Sequence, residues 1–156
     1  MQTRTTIFVL VLAALIFCAS ANAQDKAQPS LYKRLGGYDA IAAVVDDFIP
    51  RLVTDPLLGK FFAGHGIDSK KRLRQFVVEK VCEATGGPCF YTGRTMKEAH
   101  AGLGITEEQW NASQTHFIET LDKFQVPKKE QDELVAIITS LRGDIVAPAM
   151  PAEMKK

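Results

Sequence analysis

Residues 82–100, CEATGGPCFYTGRTMKEAH, are the most informative part of the sequence, because two turn signals and one short helical segment follow each other there. The sequence GGP at 86–88 ends any preceding helix, since glycine disfavours a helix and proline cannot continue one. The sequence YTG at 91–93 is a second turn signal. The segment 96–101 is then long enough for one or two helical turns, with His100 near its end. Because turn residues bound this short segment on both sides, the His100 imidazole is expected to point in one fixed direction.

His100 is either a metal ligand or an ordinary histidine. The chain has three histidines, and it contains no HxxxH, HExxH or paired CxxC pattern of the kind that zinc sites use. A haem site needs fewer protein ligands than a zinc site, because one proximal histidine and an apolar pocket are sufficient. From spacing alone, a lone histidine that binds nothing is the favoured interpretation.

Three motifs resemble the group 1 truncated haemoglobins, and they occur in the family's order. The first is the glycine motif LGGYDAI at 35–41, and the second is the pair FF at 61–62. The third is GGP…YTGRTMKEAHAGLGIT at 86–106. In that family the Gly-Gly-Pro motif ends the distal helix, and M-K-x-x-H-x-G supplies the histidine that binds the iron. The similarity extends over residues 31–146, which is nearly all of the chain after its N-terminal segment.

The resemblance implies an all-α fold, a two-over-two α-helical sandwich that holds haem b (iron protoporphyrin IX). It makes His100 the proximal iron ligand and places Met96 in the same motif. Phe62 falls where the family packs a phenylalanine on the haem face. The implied partner is a diatomic gas, namely oxygen, nitric oxide or carbon monoxide.

The resemblance also assigns the distal positions, and here the sequence departs from the family. The family often has a tyrosine directly after a DF or EF pair at the end of the first long helix. In this sequence the pair is Asp47-Phe48, and the residue after it is Ile49. The positions that often hold glutamine, histidine or lysine fall on Leu73, Phe76 and Val77. All four side chains are apolar, and none of them can donate a hydrogen bond.

An apolar distal pocket favours a gas-binding protein or oxygen carrier over an enzyme. Oxygen at ferrous haem carries partial negative charge, and a donor stabilises it by roughly 1–3 kcal/mol. Without that donor we expect fast oxygen release, whereas carbon monoxide and nitric oxide depend less on such a bond. Two alternatives stay open. One is a haem enzyme for nitric oxide dioxygenation or peroxide reduction, served by an unknown reductase, and the other is a haem-free helical interaction module.

Hydrophobic periodicity predicts four longer helices, and no segment of useful length alternates with the period of a strand. Their apolar stripes are Ile41, Val44, Val45, Phe48 and Leu52; Leu73, Phe76, Val77, Val81 and Ala84; Trp110, Phe117, Ile118, Leu121 and Phe124; and Leu134, Ile137, Ile138, Leu141 and Ile145.

Several residues predict where these helices begin, bend or end. Pro50 is expected to kink or shorten the first helix, because it removes a backbone donor. Asp68 or Ser69 is expected to cap the second helix. Thr106 and Gln109 form a capping box at the start of the third helix.

Residues 1–23 have the pattern of a secretory signal peptide. Arg4 precedes an apolar run at 7–17, and ANA at 21–23 supplies an A-x-A cleavage site. The run is too short to span a membrane, although an uncleaved anchor is the alternative. The predicted organisation is a signal peptide at 1–23, a flexible leader at 24–30, a globin domain at 31–147 and a tail at 148–156.

Export has consequences for charge and for cysteine chemistry. Cleavage removes Arg4 and no acidic residue, which leaves 18 basic and 18 acidic side chains. No basic stripe appears, so we expect no nucleic-acid partner and no stable membrane association after cleavage. Cys82 and Cys89 would lie in an oxidising compartment, the periplasm, where the pair is predicted to form a disulfide. The alternative is two reduced, buried side chains.

Overall fold

The computed structural model describes residues 28–148, and every regular element in that range is helical. The elements are α1 (Leu31–Arg34), α2 (Gly37–Thr54), a 3-10 helix (Gly59–Phe62), α3 (Ile67–Ala84), α4 (Met96–His100), α5 (Glu107–Lys123), α6 (Lys128–Ser140) and α7 (Arg142–Ile145). The predicted signal peptide, most of the leader and residues 149–156 of the tail lie outside the described residues. Within 28–148, no helix is both long enough and apolar enough to cross a membrane.

Helix α2 is central, since it packs against α3 on one side and against α5 on the other. The α2–α3 cluster buries Ile41, Ala42, Val45, Val78 and Cys82. A second cluster joins α1, α5 and α6 through Leu31, Phe117, Leu121 and Leu134. The ring of Phe48 on α2 meets that of Phe117 edge to face, with centroids 5.3 Å apart. The predicted all-α, two-over-two sandwich is confirmed.

Polar pairs show that α2 and α5 run antiparallel. In order along α2 and its C-terminal cap, the pairs are Asp47–Lys123, Arg51–Glu119 at 3.3 Å and Asp55–His116 at 2.8 Å. The hydrogen bond from the His116 ring lowers the pKa of Asp55. The last turns of α2 therefore lie beside the second half of α5, from His116 to Lys123.

An ion pair fixes α3 against α2 in a similar way. The Arg74 guanidinium donates to Asp46 at 2.7 and 2.9 Å and lowers the pKa of that carboxyl. Ile49 and Val77 both pack at the edge of the α2–α3 cluster. The C-terminal half of α2 is therefore flanked by α3 on one side and by the second half of α5 on the other.

Three predicted helix boundaries have different outcomes. Helix α2 continues through Pro50 to Thr54, so the expected shortening is wrong. The proline removes only one backbone donor, and its ring is exposed on the outer face of the helix. Helix α3 begins after Gly66 without a side-chain cap, so the predicted cap at Asp68 or Ser69 is also wrong. The Thr106–Gln109 capping box is confirmed.

The apolar stripes predicted for the helices differ in part from the faces that the structure buries. On α3, Val78 and Cys82 are fully buried, whereas Ala84 is exposed. Ile118 and Phe124 on α5 are each 40% exposed instead of facing the core. The last predicted helix is divided at Leu141 into α6 and α7. Helix α3 is apolar on two faces, and periodicity alone does not tell which of them meets α2.

Candidate functional site

The five-residue helix α4 is held at its start by a capping box. The Thr95 hydroxyl accepts a hydrogen bond from the backbone N–H of Glu98 at 3.2 Å. The Glu98 carboxylate accepts from the Thr95 backbone N–H at 3.0 Å and from its hydroxyl at 2.8 Å. These bonds, led by the one from the hydroxyl, lower the pKa of Glu98. Helix α4 is short, but its first turn is fixed in this way.

His100 closes α4 in an orientation that leaves one ring nitrogen available. Its Nδ1 lies 2.7 Å from the carbonyl oxygen of Met96. A carbonyl can only accept, so Nδ1 carries the proton and Nε2 carries the lone pair. The ring is half-buried, and the chain leaves α4 through Gly102, whose φ of 78° favours glycine. The imidazole is thus oriented as a metal-binding histidine requires.

Helix α4 and helix α3 have different main packing partners. Helix α4 packs chiefly on α7, whereas α3 packs chiefly on α2. An ion pair between Arg142 and Glu107 and the bond from Ala147 N–H to the Ile105 carbonyl at 2.8 Å tie α7 to the start of α5. The chain segment that carries His100 is therefore held by α7 and the start of α5.

The residues predicted for the distal side lie along α2 and α3. Ile49 and Val77 are half-buried side by side at the edge of the α2–α3 cluster. The ring of Phe76 meets that of Tyr91 edge to face, with centroids 6.1 Å apart. Leu73 is half-buried one turn before Phe76 and Val77. The four positions assigned to the distal side are thus apolar and half-buried.

The other predicted haem contacts come from the 3-10 helix and from α4. Phe62 is the last residue of the 3-10 helix, and Met96 is the first residue of α4. Both are half-buried, and Leu103 just beyond His100 is 42% exposed. Apolar surface is thus left incompletely covered around a single oriented imidazole. Within 28–148, no cluster of three or more His, Cys, Asp or Glu residues could hold a metal ion without haem. This combination fits haem, a large apolar ring whose iron needs one protein ligand.

Sequence reasoning missed Gln114, which lies on the buried stripe of α5. Its side-chain carbonyl oxygen is buried and has no hydrogen-bond partner among the described residues. Leaving such a group unpaired costs about 1–3 kcal/mol. The sequence feature that could have identified it is its position, four residues after Trp110 and three before Phe117, which puts a polar residue on the same helix face as two aromatic ones.

A disulfide anchors the chain between α3 and α4. Cys82 and Cys89 are bonded, with their Cα atoms 5.7 Å apart, and Cys82 has no exposed surface. A Cβ atom on Gly87 would come within 2.7 Å of the Cys82 sulfur, so only glycine fits inside this loop. The Tyr91 backbone N–H donates to Glu83 at 3.1 Å, and burial raises the pKa of the Tyr91 hydroxyl. The loop therefore holds Tyr91 where it supports Phe76.

Replacing both Cys82 and Cys89 with alanine is expected to reduce the free energy of unfolding by about 2–3 kcal/mol, because a closed loop of about eight residues restricts the unfolded chain. Urea denaturation of the double variant and of the unreduced wild type measures this difference. Wild-type protein treated with a reductant is the matched control and should approach the variant. Two free thiols per chain in denatured, unreduced protein would contradict the disulfide.

Comparisons with known proteins agree with this geometry. The model of the family described as bacterial-like globin matches residues 30–147. The group 1 truncated haemoglobin GlbN of Mycolicibacterium paratuberculosis is 36% identical over 121 residues, covering 77% of this chain and 87% of that protein. The corresponding protein of Synechocystis sp. is 33% identical over 124 residues, covering 77% and 92%.

Solved structures show the same architecture. The Fe(III) form of the truncated haemoglobin of Tetrahymena pyriformis superposes with a TM-score of 0.70 at 25% identity, covering 77% of this chain and all of that one (100%). The 2/2 haemoglobin of Synechococcus sp. PCC 7002, with covalently attached haem, gives 0.69 at 27% identity, covering 76% and 98%. The chain is a haem b-binding, gas-binding globin with the two-over-two fold, and it belongs to the group 1 truncated haemoglobins.

Proposed function

We propose that His100 is the proximal iron ligand and that the protein binds a diatomic gas reversibly as an exported oxygen carrier or gas-binding globin. The observation that carries this proposal is the bond from His100 Nδ1 to the Met96 carbonyl, which leaves Nε2 free to coordinate. Haem supplies the ferrous iron at which the gas binds. The protein supplies the ligand, its orientation and a cavity of low polarity.

Each remaining site residue has a positioning role in this proposal. Phe62, at the end of the 3-10 helix, and Met96, at the start of α4, would supply apolar contacts to the haem ring. Leu73, Phe76 and Val77 form the opposite wall, and Phe76 is supported by Tyr91. Ile49 closes the pocket from α2. Because these side chains are apolar, they give bound oxygen no hydrogen bond, so oxygen should bind more weakly and the iron should oxidise more easily.

Gas binding is favoured over catalysis because none of the four assigned distal side chains can donate or remove a proton. A turnover measurement tests this choice. Purified ferrous protein is supplied with oxygen, nitric oxide and an NADH-dependent flavoprotein reductase as electron source. We expect nitric oxide to disappear once per haem and then persist. Sustained consumption over many cycles would instead make the protein a nitric oxide dioxygenase, and a reductase would then be a required partner.

Export to the periplasm is part of the same proposal. It is supported by the signal pattern at 1–23 and by the Cys82–Cys89 bond, since disulfides persist in oxidising compartments. Mass spectrometry of the protein purified from its native cells should give a chain that begins at Gln24. A chain that keeps residues 1–23 and fractionates with membranes would support an anchored form.

A further inference from the structure

We infer that Tyr91 is a positioning residue that links the two sides of the haem site. Its ring supports Phe76 on α3, and its hydroxyl supports the start of the helix that carries His100. This inference rests on the proposed function, which assigns Phe76 to the distal side and His100 to the proximal side. It identifies one side chain that sets how firmly both sides are held.

The ring of Tyr91 lies against one face of α3. Its centroid is 6.1 Å from that of Phe76, in the edge-to-face arrangement that aromatic pairs prefer, and 5.0 Å from the Lys80 ammonium. The Tyr91 backbone N–H donates to the Glu83 carboxylate at 3.1 Å. Positions 76, 80 and 83 are four and three residues apart, so they share one face of the helix. Tyr91 therefore contacts this face at three successive turns.

The hydroxyl of Tyr91 bonds the chain directly before α4. It donates to the carbonyl oxygen of Arg94 at 2.7 Å, and the next residue, Thr95, is the N-cap of that helix. At the other end of the same five residues, His100 Nδ1 bonds the carbonyl oxygen of Met96 in the first turn. The orientation of the imidazole therefore depends on the first turn, and the Tyr91 hydroxyl holds the residue that leads into it.

The loop is shaped around the Tyr91 side chain. A Cβ atom at Gly93 would overlap the Tyr91 hydroxyl and the ring carbon that carries it, so a residue other than glycine there displaces the ring. The Cys82–Cys89 disulfide joins the end of α3 to the residue two positions before Tyr91. The ring is therefore enclosed by its own loop on one side and by α3 on the other.

This position matters because the two sides of the site have different main neighbours. Helix α3 packs chiefly on α2, and α4 packs chiefly on α7. Packed side chains and hydrogen bonds are the contacts through which one part of a protein constrains another. Tyr91 makes both kinds of contact, one with each side. We expect a loss of these contacts to loosen Phe76 in the path of an entering gas and to loosen the orientation of His100.

Two variants separate the two contacts. Tyr91→Phe removes only the hydroxyl, so the iron–histidine stretching band of the reduced protein, measured by resonance Raman spectroscopy, should shift or broaden. Carbon monoxide association should stay within about two-fold of the wild type, because the aromatic pair is kept. Tyr91→Leu also removes the contact with Phe76. It should change the band and make association roughly two- to ten-fold faster, the range that corresponds to one aromatic pair.

Tyr38→Phe is the matched control, because it also removes a hydroxyl that bonds to α3. The Gln75 amide donates to the Tyr38 hydroxyl at 3.1 Å, one position before Phe76. This variant should change neither the Raman band nor the association rate. Gly93→Ala is an independent test, since it keeps the Tyr91 side chain and displaces its ring. It should reproduce both effects of the leucine variant.

The results distinguish this inference from the proposed function. A wild-type Raman band in both Tyr91→Phe and Gly93→Ala would overturn the inference, and these two variants decide if the leucine variant does not hold haem. An equal change in Tyr38→Phe would also overturn it, because the effect would then come from general loosening of the fold. In both cases the wild-type protein would keep its iron–histidine band. A wild type without that band would instead refute the proposed ligation by His100.

Discussion

Replacing His100 with alanine is expected to abolish stable haem binding. His100 is the only histidine on α4, its Nδ1 proton is donated to the Met96 carbonyl, and its Nε2 is left for coordination. The measurement is the Soret absorption of the purified variant after haem reconstitution. Adding imidazole should restore the band in part, because free imidazole replaces the missing ring.

The other two histidines provide the controls for this result. His65 is exposed in the loop after the 3-10 helix, and His65→Ala should keep the wild-type spectrum. His116 is bonded to Asp55 at 2.8 Å, so His116→Ala should lower stability but retain haem. An unchanged spectrum in the His100 variant, with haem lost in either control, would place the iron elsewhere.

Replacing Ile49 with tyrosine is expected to slow oxygen release by about ten-fold for each 1.4 kcal/mol that the new hydroxyl contributes. Ile49 is half-buried at the edge of the α2–α3 cluster, and α2 continues without a break to Thr54. The new hydroxyl therefore enters the pocket from the position where the family often has a tyrosine. Stopped-flow dissociation of oxygen and of carbon monoxide measures the effect.

Ile49→Phe is the matched control, because it adds the same ring without the hydroxyl. The phenylalanine variant should leave oxygen release within about two-fold of the wild type, and carbon monoxide release should change little in either variant. Equal slowing of both gases, or equal effects of phenylalanine and tyrosine, would mean that bulk rather than a hydrogen bond is responsible. Position 49 would then not face the ligand as a donor site.

The sequence predicted the elements whose signals are local. The capping box of Thr106 and Gln109 needs only residues three apart, and it is present as predicted. The short helix that ends at His100 is bounded by turn residues on both sides, and it occupies 96–100. Motifs of this kind carry their geometry in the chain itself.

Other features depend on how helices meet, and the sequence did not determine them. Helix α3 has two apolar faces, so the burial of Val78 and Cys82 instead of Ala84 became visible only when α2 was in place. Pro50 did not end its helix, because packing on both sides of α2 outweighs one lost donor. The unpaired side-chain oxygen of Gln114 depends on packing as well and is visible only in the folded structure.

One set of absorption spectra tests directly whether the protein binds haem through His100 in an apolar pocket. The purified full-length protein is measured in its oxidised, reduced and carbon monoxide-bound forms. We expect a Soret band in all three, a reduced spectrum typical of histidine-ligated ferrous haem, and a shift of the band when carbon monoxide binds. A protein that shows no Soret band after reconstitution, and remains folded, would be a haem-free helical module and would contradict the account.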